Sequence, residues 1–151
     1  MPFCKLRLAG RRPLEFPRGY PHQPRTLGER IRQRRMDLGL TQRTLAEKLG
    51  CWDVTVAAWE RDESIPLASS WPSIEAVLGS GLVPEHDGIA GAFRTGRLRL
   101  GLTHLELATR AGLDVRTIRN VERSIHPPSR LTLRKLRTIL GNVRAEVTGR
   151  G

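Results

Sequence analysis

The sequence predicts an all-α protein: two tandem bundles of four to five short helices each, preceded by an extended N-terminal arm. Three observations predict it. Apolar residues recur at helical spacing on otherwise charged segments, and nothing reads as a strand of consequence. A block of sequence recurs without a gap at a constant offset of 62 residues, as between Ile31 and Phe93. Five of the ten prolines (Pro2, Pro13, Pro17, Pro21 and Pro24) fall within residues 1–25, where they oppose helix formation.

The arm, residues 1–25, is expected to be disordered. Lys5, Arg7, Arg11, Arg12, Arg18 and Arg25 face Glu15 alone, so like charges repel and little can be buried. The first copy follows over 26–79. Leu27, Ile31 and Leu38 give its first helix an apolar stripe, and Gly39 ends that helix in the left-handed position. Thr41 is placed to cap the next helix, which buries Leu45, Ala46 and Leu49. After Gly50 a third helix runs to about Arg61 with Val56 and Trp59 inside. A loop leads to Pro66. Pro72 suits the first turn of a last helix, which buries Ile74, Val77 and Leu78 and ends at Gly79.

Residues 80–88 carry Gly81, Pro84 and Gly88 and read as a linker. The second copy, 89–141, repeats the plan. Phe93 and Leu100 serve its first helix, Thr103 caps the second, and Leu107 and Ala108 lie inside. Asp114 caps the third, which carries Ile118 and Val121. Leu131, Leu133, Leu136, Ile139 and Leu140 serve the last. Residues 142–151 read as a flexible tail. Each copy is small for independent folding, so an ion pair inside each bundle and docking between bundles are expected.

The repeat falls on the structurally demanding positions. Leu45 and Ala46 match Leu107 and Ala108, Gly50 matches Gly112, and Glu60-Arg61 matches Glu122-Arg123. A small residue where two helices cross, a glycine in the turn and a branched apolar residue on the next helix recur at fixed steps. The run Leu38 to Gly50, with Thr55 to Arg61, resembles the Cro/Xre-type, phage-repressor-like helix-turn-helix regulators. The likeness covers 26–79 and 89–141. It implies a transcriptional regulator that binds double-stranded DNA, with the third helix of each copy in the major groove. It also implies structural ion pairs between Arg35 and Glu60 and between Arg97 and Glu122.

Carried onto this chain, the reading positions of copy one are Trp52, Asp53, Val54, Thr55 and Ala58. None can fork onto a base, and Asp53 sits badly beside phosphates unless it caps the helix or accepts from a cytosine. In copy two the positions are Asp114, Val115, Arg116, Thr117 and Asn120. Arg116 suits guanine, Asn120 suits adenine, and Val115 can touch a thymine methyl. Arg119 is close enough for a phosphate. Gln42, Arg43 and Thr55 are anchoring candidates in copy one, with His104 at the position matching Gln42. Copy two is therefore expected to carry the direct readout, and copy one to anchor or to serve as an interaction module.

The formal charge of +11 favours a polyanion, nucleic acid before membrane surface. Cys4 and Cys51 suggest no disulfide framework, which points to a reducing cytoplasm, where the DNA-binding resemblance implies a nucleoid-associated protein. His22, His86, His104 and His126 are too scattered for a metal site, so neither metal nor cofactor is expected. No apolar run is long enough to span a membrane, and the basic N-terminus lacks a signal-peptide core. No catalytic constellation is visible, so an enzyme is not expected. The expected partners are double-stranded DNA and either a second copy, as a homodimer, or another protein. The rival reading is a protein-binding adaptor or antitoxin-like module, with Trp52 exposed for a partner and Trp59 and Trp71 in the core.

Overall fold

The structure is a computed structural model and describes residues 16–141. The described residues are helical, without strands. The order is α1 (Leu27–Asp37), α2 (Gln42–Leu49), α3 (Asp53–Glu60), a 3-10 turn (Ala68–Ser70) and α4 (Trp71–Leu78). Then come α5 (Gly88–Arg99), α6 (His104–Ala111), α7 (Val115–Glu122) and α8 (Arg130–Leu140).

Helix ends fall where the sequence supplies chemistry for them. Thr26 caps α1 in a reciprocal box with Glu29, and Thr103 caps α6 in the same way with Glu106. Thr41, Asp114 and Ser129 cap α2, α7 and α8 through their side chains. The turn between α2 and α3 needs a left-handed residue, and Gly50 supplies it at φ +68°, as Gly112 does at +58° before α7. After α3 and α7 the left-handed position falls on Asp62 and Ser124, again one repeat apart. Gly28 lets α1 approach the end of α3, since a Cβ there would meet the Trp59 carbonyl at 2.3 Å.

The first core joins Ile31, Leu45, Ala46, Val56, Trp59, Trp71, Ile74 and Leu78. The second joins Phe93, Leu102, Leu107, Ala108, Ala111, Ile118, Val121 and Leu136. Burying each large aliphatic side chain contributes about 1.5–3 kcal/mol. Several expected core residues stand outside. Leu38 and Leu100 occupy the C-cap positions of α1 and α5, where the chain leaves the helix, and are 53% and 47% exposed. Leu131, in the first turn of α8, is also exposed. Leu49, Val77, Leu133, Ile139 and Leu140 are only partly buried.

Two expected flexible segments are built into the fold. Within 80–88, Leu82 and Val83 are 1% exposed and complete the first core. The Pro84 carbonyl accepts a hydrogen bond from Thr95 Oγ1 at 3.0 Å, and Glu85 pairs with Arg99. Leu98 of α5 also packs on the first core, and Gly101 lies against Pro72. The two bundles are therefore docked through α4 and α5. Residues 16–25 of the arm lie along α1, with Tyr20 Oη donating to Asp37 at 2.7 Å and Gln33 Nε2 donating to the Pro21 carbonyl. Phe16, Tyr20 and His22 pack together, with the His22 ring edge-on to the other two. Residues 1–15 of the arm and the tail 142–151 lie outside the described residues.

Candidate nucleic-acid interface

In each bundle an arginine on the first helix reaches the glutamate that ends the third. Arg35 donates to both carboxylate oxygens of Glu60, with Nη2 to Oε2 at 2.9 Å. Arg97 forks onto Glu122 at 2.6 and 2.9 Å. All four side chains are at least nine-tenths buried. The remaining guanidinium nitrogen donates to the carbonyl just before the cap of the second helix, Leu40 at 2.7 Å and Leu102 at 2.9 Å. One side chain thus fixes the first helix, the turn and the third helix together. A bidentate pair with its remaining donor also satisfied is the arrangement in which a buried charge is tolerated.

The structure gives Gln42 and His104 the same local task. Gln42 Nε2 donates to Glu60 Oε2 at 2.9 Å, and His104 Nε2 lies 3.0 Å from Glu122 Oε2. The Gln-to-His difference between copies therefore preserves the contact. Repetition of the motif marked the position, but the shared glutamate partner needed the folded geometry. Arg43 is exposed and pairs loosely with Glu47 along α2 at 3.3 Å.

The third helices present different faces. On α3 Trp52 is the N-cap residue yet makes no side-chain cap bond, and it is 79% exposed. Val54 is 69% exposed. The Asp53 carboxylate accepts from the Val54 N–H at 2.8 Å, so it holds the helix start where the dipole favours negative charge. Thr55 and Ala58 are half-buried. No cationic side chain lies on α3. Trp59 and Trp71, by contrast, are buried in the core.

On α7 the cap is regular: Asp114 Oδ1 accepts from the Arg116 N–H at 2.7 Å. Arg116 and Arg119 are exposed, while Val115, Thr117 and Asn120 are half-buried beside them. Ile118 and Val121 anchor the opposite face. The exposed face thus offers a fork donor, an amide and a branched methyl group within two turns. On α8, which packs against α5 and α6, Arg130, Arg134 and Arg137 line a shallow groove with Leu133 and Thr138. Lys135 Nζ donates to the Gly112 carbonyl at 3.1 Å, tying α8 to the turn before α7.

Around these helices the thiol of Cys51 is pushed up from its ordinary value by burial. The Glu106 carboxyl is held below the usual carboxylate range by the Thr103 backbone N–H and hydroxyl. Among the described residues there is no cluster of His, Cys, Asp or Glu suited to a metal, and no helix long and apolar enough to cross a membrane.

Comparison with known proteins matches the same two stretches. A helix-turn-helix family model fits residues 31–83 and again residues 93–146. The HTH-type transcriptional regulator DicA of Escherichia coli (strain K12) is 45% identical over 53 residues, which cover 35% of this chain and 39% of that protein. No solved structure matches. The chain belongs to the helix-turn-helix family of Cro/Xre type and carries that module twice.

Proposed function

We propose that the chain is a transcriptional regulator that binds double-stranded DNA in a sequence-dependent way, with α7 in the major groove as its principal reader. The observation that carries this reading is the outer face of α7, where Arg116 and Asn120 stand beside Val115 and Thr117 on a helix anchored from behind. Arginine forks onto guanine and asparagine onto adenine in that groove. The family and the relative DicA, a transcriptional regulator by name, support the same role. So does the charge of +11, which suits a phosphate-rich partner. Such a protein acts by binding rather than catalysis, at the nucleoid in the cytoplasm.

In module one, Gln42, Arg43, Thr55 and Ala58 are the remaining candidates near the duplex. Thr55 and Ala58 are half-buried, Arg43 shares its charge with Glu47, and Gln42 is engaged with Glu60. Module one therefore contributes little direct readout. Its exposed Trp52 and Val54 favour a second role, contact with another protein or a second copy.

The test is selection of bound duplexes from a random pool, followed by affinity measurements from low to high salt. An enriched motif with steep salt dependence is the expected result. An unenriched pool with flat salt dependence contradicts the reading and favours the adaptor role.

A further inference from the structure

Beside the Arg97–Glu122 bridge lies a cleft of about 250 Å³. It is lined by Arg94, Arg97, His104, Arg119, Glu122 and Arg123, drawn from α5, α6, α7 and the C-cap of α7. Glu122 is the sole carboxylate on it, and Arg97 already neutralises that group. Among the described residues no ion pair engages Arg94, Arg119 or Arg123. Three guanidinium groups without an acidic partner thus share one concave site. Like charges gathered in a cleft repel, and an anion seated among them relieves that repulsion. Guanidinium forks match the tetrahedral oxygens of a phosphate.

Module one shows what the same fold looks like without this site. Ala57 stands where module two has Arg119. Arg61, the counterpart of Arg123, is tied to Glu63 by two bonds at 2.6 and 2.7 Å. Arg32, the counterpart of Arg94, lies against Gly19 of the arm, where a Cβ would come within 2.2 Å of its Nη2. Module two has Ile125 in place of Glu63, and among the described residues no ion pair engages Arg123. The charge asymmetry arises at two positions, where module one has Ala57 for Arg119 and an Arg61 paired with Glu63 for Arg123.

We infer that the cleft between α5, α6 and α7 is a phosphate-binding site, formed by Arg94, Arg119 and Arg123 with His104 at its edge, and present in module two alone. It deepens the proposed function, since a backbone phosphate of a duplex held on α7 is one source of that oxyanion. A soluble phosphate is the other. The site adds Arg94 and Arg123 to the contact surface, and it grips without regard to sequence.

The test has two arms, both on the full chain with Arg119→Gln, Arg123→Gln and, as a control in module one, Arg61→Gln. In the first arm inorganic phosphate is titrated without DNA while the His104 ring resonances are followed by NMR. Saturable shifts that the Arg119 and Arg123 variants abolish and the Arg61 variant retains are expected. In the second arm duplex affinity is measured against salt. Each cleft variant should lower affinity evenly across sequences and flatten the log–log slope by about 1. Thermal melts verify that each variant is folded, and Arg119→Lys should restore part of the slope.

Shifts with phosphate but no duplex binding would assign the cleft to a soluble phosphate, leaving the site standing and the DNA reading fallen. Duplex binding with unchanged slopes in the variants, and no phosphate response, would overturn the site and leave the DNA reading intact. No response in either arm overturns both.

Discussion

His104 Nε2 lies 3.0 Å from Glu122 Oε2, on the oxygen that also receives Arg97 Nη2. The contact joins the start of α6 to the end of α7, the two helices whose relative angle defines the motif. The residue that stands one repeat from Gln42 therefore braces the buried ion pair, as Gln42 does in module one.

Burial makes the bridge costly to break at one partner and less costly to replace as a unit. Arg97→Leu strands Glu122 in a buried position and should destabilise the chain by about 3–5 kcal/mol. Replacing both Arg97 and Glu122 by leucine should recover a large part of that loss. Urea unfolding of the two variants checks this. A double variant as unstable as the single one would show that the bridge itself, not the stranded charge, sets the cost.

Leu82 should behave as a core residue despite its place between the modules. It is 1% exposed, so Leu82→Ala should cost about 2–5 kcal/mol. Substituting the exposed Ser80 to alanine should change little. Denaturant midpoints of the two variants give the comparison, and equal midpoints would mean that 80–88 is a passive tether.

The capping box of α6 predicts a pH dependence with a definite sign. The folded-state pKa of Glu106 is depressed, chiefly by its bond from the Thr103 N–H. Its contribution is therefore present above the unfolded-state pKa and is lost as pH falls through the depressed folded value. Glu106→Gln should remove that part of the acid sensitivity and leave neutral-pH melting nearly unchanged in shape. Thr103→Ala should cost about 1 kcal/mol at neutral pH through the lost cap. Melting curves taken across the acid range measure both.

The three tryptophans should divide by accessibility. Trp52 is 79% exposed, while Trp59 and Trp71 are 5% and 2% exposed. Iodide should quench one emitting population, and Trp52→Phe should remove it without lowering stability. Protection of Trp52 from iodide in the free protein at micromolar concentration would reveal that its surface is already covered by a second copy.

Much of the fold was legible because its signals are local. The caps Thr41, Thr103 and Asp114, the turns at Gly50 and Gly112, and the stripe residues Leu45, Val56, Leu107 and Ile118 each carry a signature within a few residues. Repetition at a fixed offset then told which signatures belong together. The features that were not legible depend on tertiary contacts. Leu82 and Val83 are only two adjacent apolar residues, too few to define a period, and Gly81 and Pro84 around them carry the composition of a loop. The packing of Tyr20 on Asp37 joins residues 17 apart in a segment that reads as charged and proline-rich. Leu38 and Leu100 fit the spacing of a stripe, but helix termination turns them outward. On the interface, residue types at repeat positions named Arg116 and Asn120 as candidates, whereas the cleft required knowing that Arg61 pairs with Glu63 and that Arg94 comes alongside Arg119 and Arg123.

The central claim is that α7 distinguishes DNA sequences and α3 does not. It is tested most directly by the ratio of specific to non-specific duplex affinity at fixed salt, for the chain itself, for the Arg116→Ala/Asn120→Ala variant and for Val54→Ala/Ala58→Ser. The α7 variant should lose about 1–3 kcal/mol of discrimination per replaced contact, and the α3 variant should keep the ratio. Full discrimination in the α7 variant, or its collapse in the α3 variant, would contradict the account.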